Sequence, residues 1–213
     1  FLMGLTVKIE TPYIVHFDDL KSSISSAALM GNHKPLNLEI GSGKGRFLYV
    51  SAGNFPDENF IGLEKTPKCL HVFREKVEPL NLDNVRIVHC FLDQILDSHV
   101  PDGSVQNVCV FFPDPWPKKR HRKRRFMSVA NLMILWRKLV KDGELLFKTD
   151  FEDYYMEVVE RLSHLDQFMV IGHGIASNWK HRFNVKTHFE MKYVKVGKPI
   201  YYLHAKKIQE CPS

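Results

Sequence analysis

Residues 38–47 read Leu-Glu-Ile-Gly-Ser-Gly-Lys-Gly-Arg-Phe, an apolar run that leads into three glycines at alternate positions. The run predicts a buried strand, and the glycines predict a tight turn whose backbone can approach a ligand closely. The stretch is neither a Walker A loop nor a G-x-G-x-x-G dinucleotide turn, because its spacing is E-x-G-x-G-x-G. With Glu39 before it, the turn suits either an adenosyl ligand without a pyrophosphate or a plain strand-to-helix connection.

A second acid ends the next predicted strand. Glu64 closes the segment Ile61-Gly62-Leu63-Glu64, 19 residues after Gly45. In nucleotide-binding βαβ units, an acid about 20 residues beyond the glycine turn accepts hydrogen bonds from ribose hydroxyls. Taken alone, Glu64 is a surface residue, but its spacing from the glycine turn predicts ribose binding.

Short apolar runs alternate with longer segments of helical periodicity along the whole chain, which is typical of an α/β fold. Most runs are continuously apolar, so we predict a mostly parallel seven-stranded sheet with helices on both faces. Ligands bind such sheets at the carboxyl ends of the strands. The predicted strands are 36–40, 60–63, 85–90, 105–112, 144–148, 168–172 and 200–204.

Three helix starts can be located from the sequence. Thr66 followed by Pro67 predicts an N-cap and a first helical position. Thr149 with Glu152 three residues later is typical of a capping box. An apolar stripe beginning at Phe126 predicts a third helix.

The loop after the fourth predicted strand is the most informative segment. Residues 111–125 read FFPDPWPKKRHRKRR, and three prolines within 113–117 stiffen the chain there. Asp114 beside the flat indole of Trp116 indicates a nucleobase site. Residues 118–125, which we call the basic block, contain seven Lys or Arg and one His. Basic residues at a helix start oppose the helix dipole, so a block placed there indicates a bound polyanion.

Composition narrows the class of protein. The 213 residues are 44% hydrophobic with a formal net charge of +6, which predicts one globular domain. The longest apolar runs, such as Leu132–Trp136, are too short for a membrane span, and the sequence shows no secretory signal pattern, which predicts a cytoplasmic protein.

Eleven scattered histidines predict no metal site, since His181 and His188 lack a defined partner set. Reduced thiols are predicted for the four cysteines, which form no CxxC pair: Cys69, Cys90, Cys109 and Cys211.

Together these motifs closely resemble the tRNA (guanine-N7-)-methyltransferase family, also called the TrmB family, of class I S-adenosylmethionine-dependent enzymes. The resemblance runs from about Leu36 to Leu203. The string PDPWPKKRHRKRR is highly specific for the family, whereas EIGSGKG marks only the broad methyltransferase class. The resemblance implies a Rossmann-like class I methyltransferase fold over 36–213, after an N-terminal extension, 1–35, that is mobile or contacts RNA.

The implied activity is methyl transfer from S-adenosyl-L-methionine to N7 of a variable-loop guanine in tRNA, forming 7-methylguanosine. The implied partner is tRNA, with no membrane and no obligate protein partner, in a monomer or homodimer. Asp114 is implied as the catalytic residue. The cofactor-binding residues are expected to be Glu39, Gly41, Gly43, Gly45, Glu64, Phe91 and Asp114. The expected substrate-binding residues are Lys118, Asp150, Thr187, His188, Phe189 and Glu190. The expected RNA-binding residues are Arg120, His121, Arg122, Lys123, Arg124 and Arg125, with Trp116 as a base-stacking candidate.

Two departures and three alternatives accompany the resemblance, and the lesser departure is His188, where the family residue is often charged or variable. Phe91 stands where the family usually has an Asp or Asn that contacts the adenine end of the cofactor, and Asp93 lies two residues later. A methyltransferase acting on an exocyclic amino group also uses a short motif containing an acid and prolines. A non-catalytic RNA-binding protein with the same fold is the alternative from another class. A nicotinamide-dependent oxidoreductase is disfavoured by the glycine spacing.

Overall fold

The computed structural model describes residues 11–20 and 23–208. In this part of the chain one eight-stranded sheet forms the centre, in the order β1-β4-β3-β2-β5-β6-β8-β7. The strands are β1 (Ile14–His16), β2 (Leu36–Ile40), β3 (Asn59–Glu64), β4 (Val85–His89), β5 (Val105–Phe111), β6 (Leu139–Thr149), β7 (Phe168–Ile175) and β8 (Tyr201–Lys207). The α-helices are α1 (Ser26–Met30), α2 (Arg46–Asn54), α3 (Pro67–Val77), α4 (Leu92–His99), α5 (Val129–Lys138), α6 (Glu152–Ser163) and α7 (His188–Lys195).

The predicted α/β fold with a mostly parallel sheet is confirmed. All seven predicted strands are present, and β8 runs antiparallel to both of its neighbours, β6 and β7. An eighth strand, β1, was not predicted, because three residues are too few to show a periodic pattern. It pairs in parallel with β4. Strand β6 begins at Leu139, earlier than the predicted start at residue 144.

The predicted N-terminal extension is only partly described, because residues 1–10 and 21–22 lie outside the described part of the chain. Within that part, β1 extends the sheet, and Leu29 and Met30 pack against the buried core. Cys69, Cys90 and Cys109 are free, as predicted, and Cys211 lies outside the described residues. The described helices are too short or too polar to cross a membrane.

Apolar side chains cover both faces of the sheet, as the continuous apolar runs predicted. One cluster joins sheet residues such as Leu38 and Val110 to helices α4, α5 and α6. The other joins Phe60 and Phe111 to helices α2 and α3. Burial on both faces explains why the central strands lack polar alternation.

The chain order creates a crevice between β2 and β5. From β2 the chain moves outward to β3 and β4, and then returns to form β5 on the other side of β2. Ile40 at the end of β2 pairs with Leu63 on one side and Val110 on the other. The segments that follow these three strands therefore meet at one edge, the usual ligand position in open α/β sheets.

Two of the three predicted helix starts require correction. Thr66 and Pro67 begin α3 as predicted. The capping box at Thr149 is wrong: the N-cap of α6 is Phe151, and the Thr149 hydroxyl accepts a hydrogen bond from the Phe151 N–H at 3.2 Å. Helix α5 begins at Val129, after an N-cap at Ser128.

The basic block does not start an α-helix either. Its residues Lys119–Arg124 form a separate 3₁₀ helix ahead of α5. The dipole of α5 therefore does not oppose these charges, and the predicted electrostatic cost is absent. Which of these side chains can bind a polyanion depends on the contacts that each of them makes.

Candidate active site

A cleft of about 990 Å³ opens where the glycine turn after β2, the acid ending β3 and the loop after β5 meet. This volume is at the upper end of the range for small-molecule sites. Twelve of the predicted site residues line it: Glu39, Gly41, Gly43, Glu64, Asp114, Trp116, Lys123, Arg124, Arg125, Thr187, His188 and Phe189. The structure thus brings together motifs that lie far apart in the sequence.

The glycine turn is fixed by backbone hydrogen bonds to the neighbouring strand. The N–H groups of Gly41 and Ser42 donate to the Leu63 carbonyl at 2.9 and 3.1 Å. Gly45 has φ +68° and lies against the ring of Phe73, with which a Cβ would collide. Only glycine fits this position, which explains why the turn ends on its third glycine.

The Glu64 carboxylate stabilises the same turn. One oxygen accepts from the Gly43 N–H at 2.8 Å, and the other accepts from the Thr66 N–H at 2.8 Å. Each carboxylate oxygen has a second acceptor site, so Glu64 can still accept a hydroxyl hydrogen bond from a ligand. It lines the cleft from the end of β3.

Glu39 is a buried acid without a full set of partners. Its residue is 3% exposed, and its Oε2 atom has no hydrogen-bond partner. Burial, together with the negative charge of Glu64, raises the pKa of the Glu39 carboxyl well above its usual range. A ligand N–H or amino group in the cleft would satisfy this oxygen, because a buried unpaired acceptor is costly.

We expect Glu39 to make the stability of the ligand-free protein depend on pH. A carboxyl whose pKa is higher in the folded state holds more protons there, so stability falls as pH rises above the unfolded pKa. Relative to Glu39→Gln, the wild type should lose up to about 1.4 kcal/mol of unfolding free energy per pH unit between the unfolded-state and the folded-state pKa of Glu39. Urea unfolding at several pH values between 5 and 8 measures the difference. Glu160→Gln, at an exposed position, is the matched control, and parallel profiles for Glu39→Gln and wild type would contradict the expectation.

The loop after β5 places an exposed carboxylate at the cleft. Asp114 is exposed, and within the described residues it forms neither a hydrogen bond nor an ion pair. Phe112 and Trp116, two residues before and after it, have φ values of +53° and +43°. Bulky residues rarely adopt this left-handed conformation, which costs about 1–3 kcal/mol each and is concentrated at functional sites. Asp114 therefore lies between two residues whose backbone conformations are strained.

Trp116 has neighbours on its indole from the basic block. The Arg124 guanidinium lies 4.9 Å from the ring centroid, and the His121 ring packs edge-on at 5.8 Å. Trp116 is half-buried and lines the cleft. The arrangement orders Arg124 and leaves the indole as a stacking candidate at the cleft wall.

The members of the basic block have different environments. Lys123 and Arg124 line the cleft, whereas Arg120, His121 and Arg122 lie outside its wall. Arg122 donates to Asp153 at 2.8 Å. Exposed cations of this block remain suited to a polyanion.

The prediction for Arg125 needs correction. Its side chain is fully buried, pairs with Asp153 at 2.7 Å and with Glu157, and donates to the Pro115 carbonyl at 2.8 Å. These contacts tie the loop after β5 to α6. Arg125 supports the loop that carries Asp114, and its guanidinium is already paired with two carboxylates.

The predicted substrate segment at 187–190 also contains both residues that line the cleft and a residue that is buried in an ion pair. His188 and Phe189 line the cleft, and Phe189 stacks on Phe112 with ring centroids 6.2 Å apart. The Thr187 hydroxyl caps α7 by accepting from the Glu190 N–H at 3.1 Å. The prediction that Glu190 binds substrate is not supported, because its carboxylate is 6% exposed and pairs with buried Lys148 at 2.9 Å.

Four other predicted residues lie outside the cleft wall. Gly45 packs on α3, and Lys118 is the exposed N-cap of the 3₁₀ helix. Asp150 accepts from Lys198 at 3.0 Å. Phe91 is 64% exposed and caps α4, so Leu92 and not Phe91 reaches the cleft. The side chain of Asp93 lies outside the described part of the structure.

His181 has the partner set that the sequence did not reveal. Its Nε2 lies 3.0 Å from Glu144 Oε2, and His204 Nε2 lies 3.3 Å from the same oxygen. The Phe183 N–H donates to His181 Nδ1 at 3.1 Å, which places the ring proton on Nε2, where it is donated to Glu144. Hydrogen bonds from His181 and His204 lower the pKa of Glu144. The His181–Glu144 hydrogen bond, with His204 Nε2 beside the same oxygen, connects β6, β8 and the segment before α7.

Several residues that line the cleft were not predicted as site residues. Lys44 lies within the glycine turn, and Arg46, Phe112 and Lys192 also line the wall. Lys192 and Arg46 are 146 positions apart in the sequence. Only the packing of α7 beside the glycine turn brings such residues together.

Comparison with known proteins identifies the family of this chain. A family profile described as "Putative methyltransferase" matches residues 33–203. The tRNA (guanine-N(7)-)-methyltransferase of Geobacter metallireducens is 31% identical over 98% of this chain and 99% of its own length. The chain belongs to the tRNA (guanine-N7-)-methyltransferase family. The family member of Listeria monocytogenes is 34% identical over 91% of this chain and 89% of its own.

Solved structures support the class I methyltransferase fold of this tRNA (guanine-N7-)-methyltransferase family member. A 30S ribosomal A1408 methyltransferase from an uncultured bacterium superposes with a TM-score of 0.59 at 16% identity, covering 96% of this chain and 98% of its own. A precorrin-6y C5,15-methyltransferase from Geobacter metallireducens gives 0.57 at 18% identity, covering 82% and 80%. At this identity the likeness concerns the fold alone.

Proposed function

We propose that this protein transfers a methyl group from S-adenosyl-L-methionine to N7 of a guanine in tRNA, and that the guanine lies in the variable loop. The observation that carries the proposal is a single cleft that joins the glycine turn, Glu39 and Glu64 to the exposed carboxylate of Asp114. Family membership over nearly the whole chain supports the atom and the RNA class. We also propose a cytoplasmic location, which a tRNA substrate supports.

The residues of the cleft fit the methyl donor. Glu39 Oε2 is a buried acceptor without a partner, which suits the amino group of the donor. Glu64, at the end of β3, has acceptor capacity left for ribose hydroxyls. When bound, S-adenosyl-L-methionine supplies an electrophilic methyl group on a sulfonium.

The chemistry at guanine N7 requires positioning more than proton transfer. The N7 lone pair forms the new N–C bond as the methyl–sulfur bond breaks, and its electron pair stays on sulfur. No proton leaves N7, so no general base is needed there. Correct orientation alone can contribute about 7–11 kcal/mol to lowering the barrier.

Asp114 supplies a negative charge next to the base, which becomes positively charged during the reaction. The purine becomes cationic as N7 is methylated, and a carboxylate beside it stabilises this developing charge. The same carboxylate can accept hydrogen bonds from the N–H groups on the base edge. Glu39 and Glu64 are buried, so Asp114 is the exposed acid among the described residues that line the cleft.

The test combines transfer of label with chemical cleavage. Unmodified tRNA is incubated with the protein and labelled S-adenosyl-L-methionine, then reduced and treated with aniline, which cuts only at N7-methylated guanine. We expect one cut, in the variable loop. Label without a cut would assign the reaction to another base atom, and tRNA binding without label would favour a non-catalytic RNA-binding protein.

A further inference from the structure

Three basic side chains outside the basic block line the cleft next to α7. Lys44 belongs to the glycine turn, Arg46 opens α2, and Lys192 lies on α7. His188, the first residue of α7, lines the same wall. We call these four residues the α2–α7 rim.

Contacts near the rim join the start of α2 and the glycine turn to the start of α7. Arg46 Nε donates to the Lys186 carbonyl at 2.9 Å, which joins the start of α2 to the segment before α7. The Phe189 ring borders Gly43. Burial lowers the pKa of His188, and the positive charges of Lys44, Arg46 and Lys76 lower it further.

The positive charge of the rim is not neutralised by acids. Within residues 11–20 and 23–208, Lys44, Arg46 and Lys192 take part in no ion pair. Arg122 and Arg125 of the basic block, in contrast, both pair with Asp153. Arg46 also stands at the N-terminus of α2, where the positive end of the helix dipole adds to the potential.

His188 adds an unfilled hydrogen-bonding position. Its Nε2 atom is buried, and no described residue hydrogen-bonds to it, although the ring borders the cleft. With its proton on Nε2, the neutral ring has one N–H to donate, and a phosphate oxygen accepts such a hydrogen bond. Uncompensated cations and an unpaired ring nitrogen in one wall form an anion-binding surface.

We propose that the α2–α7 rim binds backbone phosphates of the RNA, on nucleotides next to the one whose base enters the cleft. The inference rests on the proposed function in naming tRNA as the polyanion. Lys123 and Arg124 line the same cleft, so the RNA backbone contacts two basic groups that are distant in sequence. Phosphate contacts of this kind fix the register of the nucleic acid without reading its sequence.

A second anion could occupy the rim, because the methyl donor carries a carboxylate. The chemistry of recognition is the same, and Lys44 belongs to the glycine turn. The two sources differ in their dependence on salt. A polyanion releases condensed counterions when phosphates are neutralised, whereas a single carboxylate does not.

The experiment measures tRNA binding by fluorescence anisotropy, without the methyl donor, over a series of salt concentrations. For Lys44→Ala/Lys192→Ala we expect weaker binding and a slope of log K against log salt that is smaller by about 1.5, since each phosphate contact contributes roughly 0.7–0.9. Lys123→Ala/Arg124→Ala is the positive reference. Lys206→Ala is the matched control, because Lys206 pairs with Asp142 at 3.0 Å near the start of β6, away from the cleft.

The outcomes separate the inference from the proposed function. An unchanged slope in the double variant, with an unchanged melting temperature, overturns the inference. So does a loss confined to binding of S-adenosyl-L-methionine, which assigns the rim to the donor carboxylate. If the wild type yields no aniline cut but the double variant lowers the slope, the proposed function fails and the rim remains an RNA-binding surface.

Discussion

Asp114→Ala is expected to lower the rate of methyl transfer by at least about 10²–10³-fold, the usual cost of losing one preorganised electrostatic contact. The reason is that the purine gains a positive charge in the transition state and Asp114 is the exposed acid at the cleft. The affinity for tRNA should stay within a few-fold of wild type, because phosphate contacts dominate that affinity. Single-turnover methylation and equilibrium tRNA binding measure the two quantities separately.

Two further variants make this test specific. Asp114→Asn keeps the size of the side chain but removes its charge, so it should lose nearly as much activity as Asp114→Ala. Asp57→Ala removes an exposed acid outside the cleft and should behave as wild type. Full activity in Asp114→Asn would show that the charge is not needed. A collapse of tRNA binding in Asp114→Ala would show that this residue holds the RNA.

The parts of the fold predicted from the sequence are those with local causes. Continuous apolar runs located the central strands, and the prolines at 113–117 located a rigid loop. The glycine turn was located because positive φ angles select glycine, as at Gly45. The three-residue strand β1 was missed because its pairing with β4 is a tertiary interaction with little local signal.

The parts of the site that were missed depend on pairs distant in sequence. Arg125 belongs to a basic block by sequence, but Asp153 and Glu157 of α6 bury it. A charge pattern shows how many cations are present and not which of them are already paired.

For Glu190, the resemblance and the contacts in the structure point to different roles. The resemblance places Glu190 in a substrate-contact segment. In the structure, its carboxylate pairs with Lys148 Nζ at 2.9 Å, and Asn184 Oδ1 accepts from the same ammonium at 3.2 Å. Lys148 Nζ also lies 4.4 Å from the centroid of the Trp179 ring. From these contacts we expect Glu190 to act as a positioning residue that holds α7 against the sheet.

Removing one partner of this buried pair should destabilise the fold strongly. Lys148→Met leaves the Glu190 carboxylate buried without its cation, which typically costs about 3–5 kcal/mol of unfolding free energy. For a chain of this size, the melting temperature should fall by about 10 °C. Urea and thermal unfolding measure the loss, and Lys206→Met, at a surface pair with Asp142, should change stability by less than about 1 kcal/mol.

The double variant Lys148→Met/Glu190→Leu decides between the two roles. Replacing both charges by apolar groups of similar volume is often neutral for stability, so the double variant should recover most of what Lys148→Met loses. Because α7 carries His188 and Phe189 to the cleft, recovered packing should also restore methyl transfer to a large part of the wild-type rate. A double variant that regains stability but stays inactive would instead assign Glu190 to substrate contact. Its carboxylate would then be needed for methyl transfer even where the packing of α7 is intact.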